Sequence, residues 1–284
     1  MATVIYTTLA LIAFAGNSVL CRMALGDNTI DAASFTALRL FSGIVVLFVI
    51  LSFTKKPTSS TASKGSWKSG LYLFVYAICF SFAYITLDTA TGALILFGAV
   101  QLTMMTLSFL AGHRFNKLEW TGLLVAFGGF IYLVLPKVST PSLYGFILMS
   151  LSGIAWGLYT LAGKQSKNPL SDTSYNFLRT FPLIAVSVML SFSFIDISAE
   201  GAILAVLSGG IASGVGYTIW YRALRDLSAI QAAVLQLLVP VIAALGGVLI
   251  VNESITVRLV IASLLILGGI FITIQGKMKV AKQA

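Results

Sequence analysis

The chain has 284 residues, of which 58% are hydrophobic and only 10% charged. A soluble globular domain carries roughly 25% charged residues, so a water-facing surface for a chain this long is excluded and lipid is the alternative solvent. The net charge of +9 would point to nucleic acid, but the basic residues collect at segment ends, where they read as orientation signals.

Apolar runs of about 20 residues, the length that crosses a hydrocarbon core about 30 Å thick, recur along the whole chain. They predict ten transmembrane helices, at 3–24, 33–53, 69–88, 92–112, 118–136, 143–163, 173–194, 200–221, 229–251 and 256–275. In the first, "AFAGNS" at 13–18 has the look of a signal-peptidase site. The start "MATVIYTT" lacks the positive n-region of a signal peptide, so the segment reads as a retained helix with Asn17 and Ser18 near mid-span. Helix 2 carries Arg39 within "FTALRLF", and helix 3 ends on Tyr84 and Asp88. Helix 4 holds Gln101 and ends near His113, the single histidine, which reads as a surface residue. Helix 6 holds Trp156 and Tyr159; helix 7 repeats the buried arginine as Arg179 in "YNFLRTF", just before Pro182. Helix 8 joins the small-residue run "SGGIASGVG" (208–216) to Tyr217 and Trp220, and helix 9 contains Gln236 and Pro240. A proline removes an intrahelical hydrogen bond, so kinks are expected at Pro182 and Pro240. The glycine run reads either as a partly unwound segment or as a close-packing surface of the Gly210-xxx-Gly214 kind. Gly128-Gly129 and Gly268-Gly269 read as packing surfaces, and Trp67, Trp120 and Tyr144 as an interfacial aromatic belt.

Thirteen Lys and Arg fall in the loops and ends on one side of these helices, against Arg22, Lys137 and Arg258 on the other. By the positive-inside rule both termini are cytoplasmic. Cys21 and Cys79 lie in different helices without metal-type spacing and read as small packing residues.

The two halves echo each other. Phe14, Asn17 and Arg22 align with Trp156, Tyr159 and Lys164; "LRLF" (38–41) aligns with "LRTF" (178–181); "GGFIYL" (128–133) aligns with "GGIFIT" (268–273). Each half has five predicted helices, and an odd number of crossings inverts the second half in the bilayer. Inverted repeats are an architecture of alternating-access transporters, with substrate bound near the midplane between the halves. Arg39 and Arg179 become one position seen twice, each roughly 10 Å deep at 1.5 Å per residue. Either they face the central cavity, to attract an anionic group or close gates, or they snorkel to the nearer headgroup layer and cap helix ends.

With this order and spacing the chain resembles the drug/metabolite transporter superfamily, in its EamA-type ten-helix form. The resemblance rests on "FAGNSVLCRMAL" (14–25), "AWGLYTLAGK" (155–164), "LLVPVIAALGGVLIVNES" (237–254) and "LLILGGIFI" (264–272). It implies an all-α polytopic fold of two inverted five-helix repeats, 1–136 and 137–284, around a cavity lined by helices 1, 3, 4, 6, 8 and 9. Helices 5 and 10 would be peripheral, and similar bacterial proteins export amino acids and related metabolites. The sequence departs from the pattern where His113 stands at the place matching Glu253, and where helix 4 reads "QLTMM" without a proline. The small four-helix members use a helix-1 glutamate; here Asn17 and Ser18 occupy that stretch, which argues against a polyaromatic-cation antiporter.

Polar side chains are costly in lipid, so those in mid-helix face a cavity or a neighbouring helix. Asn17, Ser18, Tyr84, Gln101, Trp156, Tyr159, Tyr217, Trp220 and Gln236 are the substrate-contact candidates, with Arg39 and Arg179 as gating or charge residues. No catalytic residue, metal site or cofactor is expected. The acids Asp88, Asp172, Asp196, Glu200 and Glu253 all fall near predicted helix ends, which leans toward exchange or facilitated diffusion. The reading is a secondary transporter for amino acids or related zwitterionic or anionic compounds in the cell membrane, an exporter or exchanger. Proton-coupled efflux of drugs or other organic solutes is the alternative; an integral-membrane enzyme has only the pair Asp27 and Asp31, and a channel has no filter-like loop. The expected partners are a small-molecule substrate and membrane lipid, with monomer or homodimer left open.

Overall fold

The computed structural model describes residues 2–54, 64–112, 114–134, 141–163, 166, 168–224, 226–227, 232 and 235–281. His113, Lys55, Lys56, Lys137, Lys164, Lys167, Arg225 and Lys282 of the sequence reading lie outside them. The described residues fold into helices, with no strand among them. Lipid offers no hydrogen bonds, so each spanning segment must satisfy its own backbone, which a helix does.

The helices are α1 (Ala2–Gly26), α2 (Ala32–Phe53), α3 (Trp67–Tyr84), α4 (Thr89–Leu110), α5 (Lys117–Val134) and α6 (Leu143–Gly163). They continue as α7 (Pro169–Arg179), α8 (Phe181–Leu190), α9 (Ala199–Val206), a π-helical segment (Leu207–Val215), α10 (Gly216–Leu224), α11 (Leu238–Ile250) and α12 (Val257–Ala281). Among the described residues six stretches are long and apolar enough to cross a membrane: α1, α2, α4, α6, the continuous rod Ala199–Leu224, and Val257–Gly276 of α12. The chain is therefore an integral membrane protein.

Local signals set the boundaries. Asp31 caps α2 by accepting from Ala33 N at 3.1 Å and Ser34 N at 2.9 Å, and Ser66 and Ser198 cap α3 and α9 in the same manner. Such caps satisfy amides that have no partner within the helix. The single helix expected at 173–194 is broken: α7 stops at Arg179, and α8 restarts with Pro182 in its first turn, where a missing N–H is tolerated. Helical backbone is likewise interrupted at Leu237, three residues before Pro240, whereas α4, without a proline, runs unbroken.

Glycines decide how closely the helices approach. A Cβ on Gly209 would strike the carbonyl oxygen of Arg39, and one on Gly214 would press on Val46, so the π-helical segment lies against α2 backbone to backbone. The run 208–216 is thus both a packing surface and a departure from regular α-helix. Gly153 and Gly157 seat α6 on Ala99 and Thr103 of α4, while the Ser152 hydroxyl donates to the carbonyl of Tyr76 in α3 at 2.9 Å. The helices α5 and α12 form a pair, with Gly269 against the backbone of Gly122 and Ala126, and Thr273 donating to Gly269 O at 3.0 Å.

Two clasps tie distant segments together at opposite ends of α2 and α3. At one, Asp31 N donates to Asp196 O (2.9 Å), Asp196 N to Asp31 Oδ2 (3.1 Å) and Ser198 N to Thr29 O (2.9 Å). At the other, Gly65 N donates to Asp172 Oδ1 (2.8 Å) and Ser66 N to Asn176 Oδ1 (2.9 Å). In each, one helix holds the segment leading into another: the start of α2 holds the lead-in to α9, and Asp172 and Asn176 of α7 hold the lead-in to α3.

The glycines of the α5–α12 pair allow a direct test. Gly269→Ala puts a methyl into backbone that cannot yield, at a cost of about 1–3 kcal/mol. Gly268→Ala faces open space and leaves stability unchanged or slightly raised. Thermal unfolding of the detergent-solubilised variants separates the two.

Candidate functional site

A small cavity of about 20 Å³ lies inside the bundle, lined by Phe14 and Asn17 of α1, Tyr76 of α3, Leu96 and Phe97 of α4, Trp156 of α6, Ala212 and Ser213 of the π-helical segment, and Tyr217 of α10. That volume holds about one water, so the aromatic walls are nearly closed on each other. Trp156 is the centre of the cluster, with ring centroids 4.7 Å from Tyr76, 5.1 Å from Tyr217 and 5.4 Å from Tyr159. Phe14 closes the remaining side, 5.8 Å from Tyr217 and 5.7 Å from Trp220. Offset and edge contacts at these distances are the favoured aromatic geometries.

Asn17 ties three of the walls together. Its Oδ1 accepts from the Ser208 hydroxyl at 2.6 Å, and its Nδ2 donates to the Tyr76 hydroxyl at 3.5 Å. The same Tyr76 oxygen accepts from Arg39 Nη2 at 2.8 Å. With two donors directed at that oxygen, its own proton is left to donate elsewhere.

The two arginines diverge in their surroundings. Arg39 is 2% exposed, with its guanidinium over the rings of Tyr76 at 5.2 Å and Phe80 at 4.8 Å. It turns into the bundle instead of snorkelling. Among the described residues it has no ion pair, and its Nη1 has no hydrogen-bond partner. An unpaired charge in low dielectric is expensive. Arg179, at the last position of α7, donates to the carbonyls of Lys64 and Tyr175 and lies over Trp67. It caps a helix end because the break at Thr180 leaves it there and not in mid-helix.

The other candidates have separate places. Tyr84 is buried at the end of α3, its hydroxyl donating to Thr89 O at 3.3 Å, and Ser18 is buried within hydrogen-bonding reach of it. Tyr159 and Trp220 stand behind the lining, against Trp156 and Phe14. Gln101 is buried one turn beyond Phe97 with Nε2 unpartnered, and Gln236 is half-buried before the interruption at Leu237. Of the substrate candidates, Asn17, Trp156 and Tyr217 line the cavity; Ser18, Tyr84, Gln101, Tyr159, Trp220 and Gln236 do not. Tyr76 and Ser213 were missing from the expectation. Tyr76 had a signal, since Tyr72, Tyr76, Phe80 and Tyr84 recur every fourth residue and share one helical face. Ser213, whose Oγ is buried without a partner, had none beyond the small-residue run.

At the end of the bundle where α3 meets α4, Glu253 joins three elements. It accepts from Arg22 Nε at 3.1 Å and from Thr89 N at 3.0 and 2.9 Å, so it sits on the amino end of α4, where the helix dipole favours an anion. Arg22 also donates to Tyr84 O at 3.3 Å and approaches the exposed Asp88 at 3.7 Å.

Residues 143–275 match the EamA-like transporter family. An uncharacterized protein of Pseudomonas aeruginosa is 48% identical over 276 residues, 97% of this chain and 96% of that one. An uncharacterized transporter of Bacillus subtilis is 24% identical, covering 88% and 89%. A protein of Escherichia coli K12 described as a probable amino-acid metabolite efflux pump is 23% identical, covering 73% and 75%. A solved crystal structure superposes with a TM-score of 0.60 over 93% of this chain and 95% of its own, at 20% identity, a likeness of fold.

The pairing of Arg22 with Glu253 is measurable by a double-mutant cycle. Glu253→Ala strips the hydrogen bond that Thr89 N shares between the two carboxylate oxygens, together with an ion pair, and costs about 2–3 kcal/mol. Arg22→Ala in the same background costs clearly less than it does alone, a coupling of about 1–2 kcal/mol. Additive losses in thermal unfolding would show that the two side chains act separately.

Proposed function

This chain belongs to the EamA-like transporter family, and we propose that it moves amino acids or related zwitterionic or anionic metabolites across the cell membrane by alternating access. The buried, unpaired guanidinium of Arg39 carries the reading. Beside an aromatic cavity, it offers a substrate carboxylate a cation that has no ion pair among the described residues, while Phe14, Trp156 and Tyr217 suit an apolar or aromatic side chain. Unpartnered Ser213 Oγ adds a second buried hydrogen-bonding atom, at the cavity wall. The Escherichia coli relative described for amino-acid metabolite efflux supports the same substrate class and an outward direction, as exporter or exchanger.

The architecture that goes with this reading is ten crossings in two inverted repeats, 1–136 and 137–284. The broken pair α7–α8, the shorter α11 and the helices α3 and α5 supply the crossings beyond the six long apolar ones. Two observations support it. The cavity draws Phe14, Asn17, Tyr76, Leu96 and Phe97 from the first half and Trp156, Ala212, Ser213 and Tyr217 from the second. The two clasps are also of one kind, each joining the second helix of one half to the lead-in of the third helix of the other, at opposite ends. The excess of Lys and Arg on one side supports cytoplasmic termini, an orientation in which the Asp31–Asp196 clasp and the Arg22–Glu253 cluster are external and the Asp172–Gly65 clasp internal. With both ends fastened and room for about one water, the conformation is the occluded one; transport opens one end at a time.

Among the described residues the cavity lining includes no carboxylate, which favours exchange or uniport over proton-coupled drug efflux. Counterflow in proteoliposomes tests the proposal: unlabelled amino acids are loaded inside and uptake of the labelled species is followed without a proton gradient. Uptake of an apolar or aromatic amino acid is expected, and Arg39→Gln should reduce it about 10–100-fold, the worth of a charge-assisted hydrogen bond. The amide of the same amino acid, lacking the carboxylate, should be little affected by the substitution. No counterflow with any amino acid by folded protein, or equal loss for acid and amide, would sink this reading.

A further inference from the structure

On the surface at the end of the bundle that carries Lys64, a groove of about 320 Å³ opens between the start of α3 and the break between α7 and α8. It is lined by Trp67, Tyr175, Leu178, Arg179, Phe181 and Pro182. We propose that this groove is a binding site for an anionic phospholipid, with the headgroup phosphate at Arg179, Lys64 and Lys68 and an acyl chain along Leu178, Phe181 and Pro182.

The groove exists because the helix is broken. Thr180 N turns back to Phe177 O at 3.0 Å, and Pro182 has no N–H to give, so the chain steps sideways. That step leaves Leu178 and Phe181 exposed next to Trp67, which is exposed as well. Three cations stand at or near this apolar floor, each over an aromatic ring: Arg179 lines it, 5.8 Å from Trp67; Lys64 is 5.6 Å from the lining Tyr175; and Lys68, next to Trp67 in the chain, is 5.8 Å from Tyr72. Among the described residues none of the three has an ion pair. Asp172, in the same corner, is engaged with Gly65 N and the Ser166 hydroxyl. Among the described residues Arg179 gives only Nη1, to the carbonyls of Lys64 and Tyr175, so Nη2 and Nε remain for a phosphate oxygen.

Tryptophan and tyrosine favour the headgroup level, and basic pockets between helices suit anionic headgroups. A zwitterionic lipid offers the same acyl chains but brings its own cation to a site that already holds three. The preference for net negative charge is what separates this site from ordinary lipid contact. Because Arg179 also holds the segment at 64–66 against α7, a phosphate on it would strengthen the clasp formed by Asp172 and Asn176.

The test reads lipid binding and not transport, so it stands apart from the substrate assignment. Purified protein in detergent is titrated with dioleoyl phosphatidylglycerol or dioleoyl phosphatidylcholine, and retained lipid is counted by native mass spectrometry. The wild type should retain phosphatidylglycerol at least about fivefold over phosphatidylcholine, and Lys64→Gln with Lys68→Gln should remove about fivefold or more of that preference. Among the described residues neither lysine side chain makes a hydrogen bond, so this variant is expected to fold; Arg179→Gln extends the series. Equal retention of the two lipids, or a preference unchanged in the double variant, overturns the proposal. So does displacement of phosphatidylglycerol by millimolar inorganic phosphate, which would mark a site for a free anion.

Discussion

The contact between Gly209 and the backbone of Arg39 places the rest of the interior. Without a hydrophobic drive between helices in lipid, association rests on packing and interhelical hydrogen bonds, and a residue without a side chain lets α2 and the π-helical segment touch at main-chain distance. That approach sets Ser208 beside Asn17 and puts Ser213 and Tyr217 on the cavity wall. It also fixes the root of Arg39, whose guanidinium then has little to face except Tyr76 and Phe80.

A buried cation held by one tyrosine oxygen and two aromatic faces is only partly compensated. Cation–π contact is worth up to about 2 kcal/mol when desolvated, less than removing a guanidinium from water costs. A protein selected for stability alone would place a carboxylate there, and elsewhere this chain does so: Arg22 has Glu253 and Asp88. The contrast separates an arginine that fastens helix ends from one that waits beside a cavity.

The ends are fastened by a different chemistry from the middle. The clasps are hydrogen bonds of backbone amides to carboxylate, amide and carbonyl oxygens, which water can replace. The aromatic centre has no such exchange available and closes by contact alone. The π-helical segment adjoins both, with Ser213 at the cavity and α9 leading to the Asp31–Asp196 clasp.

Composition and period alone determined that this chain lives in lipid, that it is helical, and roughly where its helices begin and end, because those follow from hydrophobicity, length and capping residues read locally. The expected span at 143–163 and the structural helix coincide, and α2 differs by one residue at its start. Family membership was legible too, in the order of degenerate motifs along the chain. The site was only partly so. Asn17, Trp156 and Tyr217 stood out as costly or bulky groups in mid-helix, but which face of each helix meets the others depends on rotation about its axis, and an almost uniformly apolar helix does not encode that rotation in its own sequence. Tyr76 entered the cavity and Tyr84 did not, although they lie on one stripe, because α4 begins beside Tyr84 while the cavity lies two turns away. Likewise Arg39 and Arg179 occupy matching sequence frames, yet only tertiary packing could separate them: one was pinned beneath a glycine contact, and the other was released to a helix end by the break before Pro182.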